Sequence, residues 1–325
     1  MSATVPIELR QKPSFEEFLT TCTPLFRDAS LEREMEERVE SIVSNLLDFK
    51  SEKAGEELLA EFLCREPEFL GVVLAMTNLS QEKFLRIITA ERFLNRDYAR
   101  EWNADVIYRK IKSDPAFAMR IAKLFIEGRA NPLLVSQVAD FYLNQLCLPP
   151  NWQELIRDRN LVGNIVRKKL TGEYTDLKGD CVEGLLRARL QALKDRYGFT
   201  YTKGQVEFLG KEVDHVIPSF EEPSVLIMSS YMETTSSGQT ARANEQQTMY
   251  AKLREQHIRY GTEIAFVNVV DGAGWLARRS DLKKLYRGCD FCLNIRTLPN
   301  LDGIVLKYVP ARFFAKQAKP DLTLT

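Results

Sequence analysis

The chain has 325 residues, 45% hydrophobic and 28% charged, with 45 basic residues against 45 acidic ones and a formal net charge of zero. That length gives one large or two ordinary domains with ample core, and the balance excludes a strongly basic chain that coats nucleic acid without specificity, while leaving room for a local basic cleft. No stretch is apolar for long enough to span a membrane, the opening MSATVPIELRQKPSFEEF lacks the apolar core of a signal peptide, and the six cysteines are scattered, as in a reducing compartment.

From Ser14 to about Pro149 the pattern predicts helices. Ser14 with Glu17 makes a capping box. Leu31 to Phe49 carries Met35, Val39, Ile42, Val43, Leu46 and Leu47 at helical spacing, with its glutamates and arginines on the solvated face. Glu56–Leu63, Pro67–Met76, Ser80–Phe93, Ala116–Phe125 and Leu133–Leu146 are the further helices expected. Leu148-Pro149-Pro150-Asn151 punctuates the chain, which places a domain boundary near 150, with residues 1–150 helical and 151–325 forming a second domain. Beyond it Arg157, Arg159, Arg167, Lys168 and Lys169 make a basic span. A helix is expected from Gly179 or Asp180, with Val182, Leu185, Leu186, Leu190 and Leu193 on its apolar side. Glu183 then stands in its first turn, either as a carboxylate suited to the helix dipole or as an acid aimed at a site.

The densest stretch runs from Lys203 to Tyr250. Val213-Asp214-His215-Val216-Ile217 is a strand that seats an acid among apolar neighbours, Pro218 to Pro223 breaks it, and Val225-Leu226-Ile227 starts a second strand. Thr234 to Gln239 is a hydroxyl-rich loop, followed by a polar helix with Arg242 and Glu245. An acid in an apolar strand is costly without a partner or a metal, which favours a functional Asp214 over a structural one. Ser236, Ser237, Gln239 and Arg242 carry groups that suit phosphates and base edges, and equally a turn and a helix cap. Ile264–Val270 is a buried strand that ends in Asp271-Gly272-Ala273-Gly274-Trp275. Ser280–Tyr286 is a short helix with Arg278, Arg279, Lys283 and Lys284 nearby, and Phe291–Ile295 is another strand. Cys289 and Cys292 form a single CxxC. With only His215 and His257 as histidines, packed thiols explain it better than zinc. The tail Tyr308–Lys319 is basic and aromatic, suited to DNA or to covering a sheet edge. Strands alternating with helices give an α/β layer structure.

An acid on one strand beside a second central strand is the frame of the PD-(D/E)XK nucleases. In that frame carboxylates hold a divalent metal near a phosphate and water attacks phosphorus. Side chains alternate along the second strand, so Leu226, Met228 and Ser230 share one face. If that face meets Asp214, the positions for the second acid and the lysine are Met228 and Ser230. Glu222 lies roughly 20 Å upstream, too far to substitute. Glu245, returned by the following helix, is the expected replacement.

In their order, several segments resemble the DpnII-type restriction endonucleases, which cut DNA at a short palindrome. TDLKGDCVEGLLRARL is similar to the family's Gly-Asp-x-x-Glu helix. VDHVI resembles its Asp strand, VLIMSSY the strand that carries Glu-x-Asn or Glu-x-Lys, TTSSGQTARANEQQTMY its Ser/Gly-rich loop and Asn-Glu helix, and FVNVVDGAGW its Asp-Gly-x-Gly-Trp strand end. GEELLAEFLCREPEFLGVVLAM resembles its N-terminal helical region. The departure is Met228 where the family has glutamate, with Ser230 at the last position. The resemblance implies an α/β PD-(D/E)XK core, a mixed sheet flanked by helices, behind an N-terminal all-helical domain for DNA binding or dimerisation. It implies Mg²⁺-dependent, sequence-specific cleavage of double-stranded DNA by a homodimer in a prokaryotic cytoplasm, beside a cognate DNA methyltransferase. Asp214, Glu183 and Glu245 would hold the metal with the Ser229 carbonyl, and Ser230 would stand at the lysine position. Ser236, Ser237, Gln239 and Arg242 would contact DNA. The rival expectation is a catalytically silent nuclease-fold protein that binds DNA or a partner protein.

Overall fold

The structure, a computed structural model, describes residues 12–94, 96–97, 100–130, 135–136 and 138–315. Residues 316–319 of the basic and aromatic tail therefore lie outside the described residues, as does part of the helix expected over 133–146. The chain divides into two compact units, residues 30–174 and residues 1–29 with 175–325. The break at 174/175 falls inside one long helix rather than at the Leu148–Asn151 punctuation expected from sequence.

The helices follow the sequence closely where capping and periodicity are strong. The first, α1 (Phe15–Thr21), starts at the expected capping box. Ser14 Oγ accepts from the Glu17 N–H, and the Glu17 carboxylate accepts from the Ser14 N–H at 2.8 Å. In the 30–174 unit come α2 (Ala29–Leu47), α3 (Gly55–Arg65), α4 (Pro67–Met76), α5 (Gln81–Leu94), α6 (Ala104–Ser113), α7 (Pro115–Glu127), α8 (Asp140–Leu143) and α9 (Trp152–Leu155). Pro67 and Pro115 occupy the first helical turn, where a missing N–H costs nothing. Helix α6 has no counterpart in the sequence reading, although Asn103 caps it by accepting from the Val106 N–H. The core of this unit is aromatic: Phe62 lies against Phe69 at 4.6 Å and Phe84 stacks on Phe125 at 5.5 Å.

One 39-residue helix, α10 (Arg159–Tyr197), replaces the helix expected to begin near Gly179. It runs through Gly172 and Gly179, so Glu183 stands mid-helix and the helix-dipole reading of it falls. Each glycine costs roughly 0.5–1 kcal/mol there. Burial of Val162, Val166, Leu170, Val182, Leu186, Leu190 and Leu193 more than offsets this. Two residues of the basic span are committed within their own unit: Arg167 bonds Glu36 at 2.8 Å and Arg159 pairs with Glu40.

The other unit is built on a five-stranded mixed sheet in the order β1 (Thr202–Val206), β2 (Lys211–Ile217), β3 (Val225–Tyr231), β4 (Ala265–Asp271), β5 (Phe291–Leu293). The first two pairings are antiparallel and the last two parallel. Helix α11 (Gln239–Tyr260) connects β3 to β4. The short α12 (Ala273–Ala277) and α13 (Arg279–Arg287) lead to β5, and α14 (Leu301–Tyr308) follows it. The two faces of the sheet carry separate cores. Leu226, Phe266 and Val270 pack with Ala243, Met249 and Leu253 of α11 and with Trp275. Val225, Ile227, Val267 and Val269 pack with Leu186, Leu190 and Leu193 of α10 and with Ile304 and Val305 of α14.

The Asp-Gly-x-Gly-Trp segment, expected as a turn, is a chain crossing followed by α12. A Cβ on Gly272 would stand 2.3 Å from the Met232 carbonyl oxygen, and one on Gly274 would stand 2.3 Å from that of Thr234. Only glycine lets the segment leaving β3 lie this close, and the Gly274 N–H bonds the Met232 carbonyl at 2.8 Å.

Candidate functional site

Asp214 is positioned by an irregularity in the β1–β2 pair. Thr202 opposes Val216 but Gly204 opposes Val213, so Asp214 and His215 together stand against Lys203 alone. Such a β-bulge turns both residues to one side of the sheet. Val213 and Val216 accordingly both point into the α11-side core, while His215 meets Tyr201 edge-on at 5.7 Å on the α10 side. Asp214 and His215 therefore belong to the α10 side. The condition posed from sequence, that Asp214 meets the face of Leu226, Met228 and Ser230, is not met. The β3 residues on the Asp214 side are Ile227, Ser229 and Tyr231.

The carboxylate of Asp214 accepts from the Ser229 N–H at 2.8 Å. The β2–β3 ladder ends at His215 opposite Ile227, so Asp214 Oδ2 takes the place that a carbonyl would fill one step on. Its other oxygen takes no hydrogen bond among the described residues. It is the backbone nitrogen of Ser229 that meets this acid. Lys203, Arg187 of α10 and Asp214 all lie close enough to His215 to act on its titration. Asp214 and His215 thus share one face, with the Lys203 ammonium and the Arg187 guanidinium near enough to act on the imidazole, and the two cations suit phosphate oxygens.

Burial pushes the His215 pKa below the usual imidazole value, against the pull of Asp214, and its buried Nδ1 lacks a hydrogen-bond partner. A folded pKa below the unfolded one means that the neutral form is favoured on folding. The stability it contributes is complete above about pH 6.5 and is lost as pH falls toward the folded value. His257, with its pKa lowered chiefly by burial, adds to the same slope. His215→Phe, which keeps a ring against Tyr201, is expected to flatten the loss of stability on acidification, read by urea unfolding across about pH 5–8. An unchanged slope would place the titration elsewhere.

The other expected site residues are distributed differently. Glu183 is exposed on α10, the helix that covers the Asp214 side. Glu245 stands on α11, which covers the opposite side, and is paired with Lys211 at 2.5 Å. Ser230 is buried on that opposite side, where its hydroxyl accepts from Trp275 Nε1 at 3.1 Å and from Arg242 at 3.0 Å. Met228 packs against the same core. The structure therefore does not bring Glu245, Ser230 or Met228 to Asp214. Among the described residues, no three Asp, Glu, His or Cys side chains form a group that could hold a metal ion. As placed, these side chains do not fit a divalent cation.

In the hydroxyl-rich loop, Gln239 is buried and accepts from the Ser236 N–H at 3.0 Å. Arg278 donates to the Ser236 carbonyl at 3.0 Å and to Thr240 at 2.7 Å, and Thr240 bonds Asp281 at 2.8 Å. Ser236 and Ser237 keep exposed side chains. Gln239 and Arg242 are instead engaged with the loop and with β3.

Two charged residues that the sequence did not single out lie near the end of β3. Lys178 Nζ of α10 meets Glu233 at 3.1 Å, with side chains only 5% and 15% exposed. Tyr231 stands beside them and accepts from the Phe26 N–H at 3.0 Å. No local pattern announces this pair, because its members are 55 residues apart.

Residues 159–302 match the profile of a family described as DpnII restriction endonuclease. No curated protein and no solved structure matches the chain.

Proposed function

We propose, from the match of residues 159–302 to the DpnII restriction endonuclease family, that the chain acts on double-stranded DNA at a short specific sequence, with Asp214 as the central acid. The family is one of type II restriction endonucleases, DNA-cleaving hydrolases. The observation that carries the reading to particular residues is the bulge, which turns Asp214 and His215 to one side of the sheet opposite Lys203, with Arg187 of α10 near enough to act on His215. In this proposal Lys203 and Arg187 draw in the phosphate backbone, Asp214 stands at the scissile phosphate, and Ser236 and Ser237 offer hydroxyls to the duplex. Glu183, on the helix of the same side, is the second carboxylate. A homodimer follows if the target is a palindrome, since two strands require two sites about a dyad. A cognate methyltransferase is the expected partner system. Glu245 as a replacement acid would require it to leave Lys211 and to act from the other side of the sheet.

Mg²⁺ dependence is what the family suggests, and the placement of the carboxylates does not favour it. That observation supports the second reading, a catalytically silent member that binds DNA. Ser229 and Tyr231, rather than an acid and a lysine, occupy the β3 positions on the Asp214 side, whichever register the resemblance is given.

Incubating the protein with DNA of varied sequence, with Mg²⁺ or with a chelator, decides between the two. Specific cleavage abolished by Asp214→Ala, with DNA retention kept, is the expected result. DNA retention without cleavage in either condition would replace it by the silent reading, and wild-type cutting by Asp214→Ala would remove Asp214 from the site.

A further inference from the structure

Three of the six thiols converge in the core on the α11 side: Cys22, Cys289 and Cys292 are all buried in one cluster. Cys289 just precedes β5 and Cys292 lies within it, and the Cys289 thiol donates to the Tyr286 carbonyl at 3.4 Å. Lys12 caps the pair. Its ammonium donates to the Cys289 carbonyl at 2.7 Å and to the Tyr286 carbonyl, and lies 3.6 Å from Cys289 Sγ. It also lies 4.3 Å from the centroid of the Tyr286 ring, whose hydroxyl bonds the Pro13 carbonyl. A short segment, residues 12–13, is thus fastened over Cys289 by an ammonium and a phenol. The thiols are not equivalent. Burial works to raise the Cys289 pKa, but the neighbouring Cys292 thiol and the Lys12 ammonium, 3.6 Å from Sγ, bring it below the usual thiol range. Burial and the neighbouring Cys289 hold Cys292 well above it, and Cys22 is pushed up to about 12, chiefly by burial. A structural thiol pair needs no ammonium. One that does have it contains a preferred nucleophile and a neutral resolving partner.

We propose that Cys289 and Cys292 are a reversible dithiol–disulfide couple, oxidised by a low-molecular-weight disulfide, with Lys12 holding the attacking sulfur of Cys289. The reaction closes without further reagents. Cys289 thiolate attacks one sulfur of oxidised glutathione, the glutathione S–S bond breaks, and one glutathione thiolate leaves. Cys292 loses its proton to solvent and attacks the Cys289 sulfur, which expels the second glutathione thiolate. The two protein thiols give up two electrons and two protons, and the glutathione disulfide receives them as two thiols. Access requires a local opening in which residues 12–13 lift from Cys289, a smaller event than global unfolding. The couple lies apart from Asp214, so it stands or falls independently of the DNA-cleavage reading.

The test is equilibration of the full chain in glutathione buffers of graded ratio, followed by peptide mapping. A 289–292 cross-link that forms with circular dichroism unchanged, and that excess reduced glutathione reverses, is the expected result. Lys12→Gln should slow its formation roughly tenfold by removing the ammonium that favours the thiolate. Cys292→Ser should stop at a glutathione adduct on Cys289. Oxidation confined to Cys64, Cys147 and Cys181, or a cross-link that appears only in denaturant, would overturn the proposal. Because the cross-link is mapped in the unsubstituted chain, the result does not depend on how either variant folds.

Discussion

Asp271→Ala is expected to destabilise the sheet unit by about 3–5 kcal/mol, the range of the largest single substitutions, and to do so without touching the candidate site. The carboxylate of Asp271 is buried at the end of β4 and accepts three backbone N–H groups: Thr23 at 2.6 Å, Gly272 at 2.9 Å and Ile295 at 3.0 Å. Through them it joins the chain after α1, the start of the Gly272 crossing and the chain after β5. Burial raises its pKa more than the three donors lower it, so the charge itself is not comfortable there. Removing the side chain does not relieve that cost in a useful way. It leaves three donors without an acceptor, at about 1–3 kcal/mol for each one that water cannot reach. Asp271→Asn keeps one carbonyl oxygen but aims an amide N–H₂ at backbone donors, so it should fall between alanine and the native residue. Urea unfolding of the three proteins, at fixed pH, reads the order directly. A loss below about 1 kcal/mol for alanine would show that water satisfies the orphaned donors.

The sequence revealed what local rules determine. The Ser14 capping box, the helix at Pro67–Met76 and the strands around Asp214, Val225 and Phe266 follow from caps, proline and apolar runs. The misses share a physical cause, which is distance along the chain. The continuity of α10 through Gly179 depends on leucines finding the far face of the sheet, and burial overrides the glycine penalty. The bulge at Asp214 and His215 arises from pairing with Lys203, so alternation along β3 could not tell which of its faces meets Asp214. Once the face changes, Met228 ceases to be the informative position and Ser229 and Tyr231 take over. The family resemblance identified the segments without regard to which side each residue faces, which is why it survived this correction while the migration of the acid to Glu245 gained no support from geometry.

Lys178→Met is expected to cost about 3–5 kcal/mol, because it strands the Glu233 carboxylate in a site that excludes water. The pair is 3.1 Å apart and nearly covered, and Glu233 Oε2 already lacks a donor. Among the described residues Lys178 is the cation that meets Glu233, so the carboxylate depends on it. Exposed pairs behave otherwise. Arg279 with Glu16, at 61% and 71% exposure, should yield no more than about 1 kcal/mol on removal. The asymmetry predicts a recovery. Replacing both members, Lys178→Met with Glu233→Leu, removes the buried charge together with its partner, and should regain most of the stability lost by Lys178→Met alone. The comparison separates two contributions of the pair. If the double variant is as stable as the native protein, the ions add little net energy and serve to fix how α10 meets the end of β3, so any change in DNA binding by a stable double variant would report that register. If the double variant is as poor as Lys178→Met, packing around the lysine stem rather than the charge holds the helix there. Chemical denaturation of the two single variants and the double, read as a cycle, distinguishes these cases.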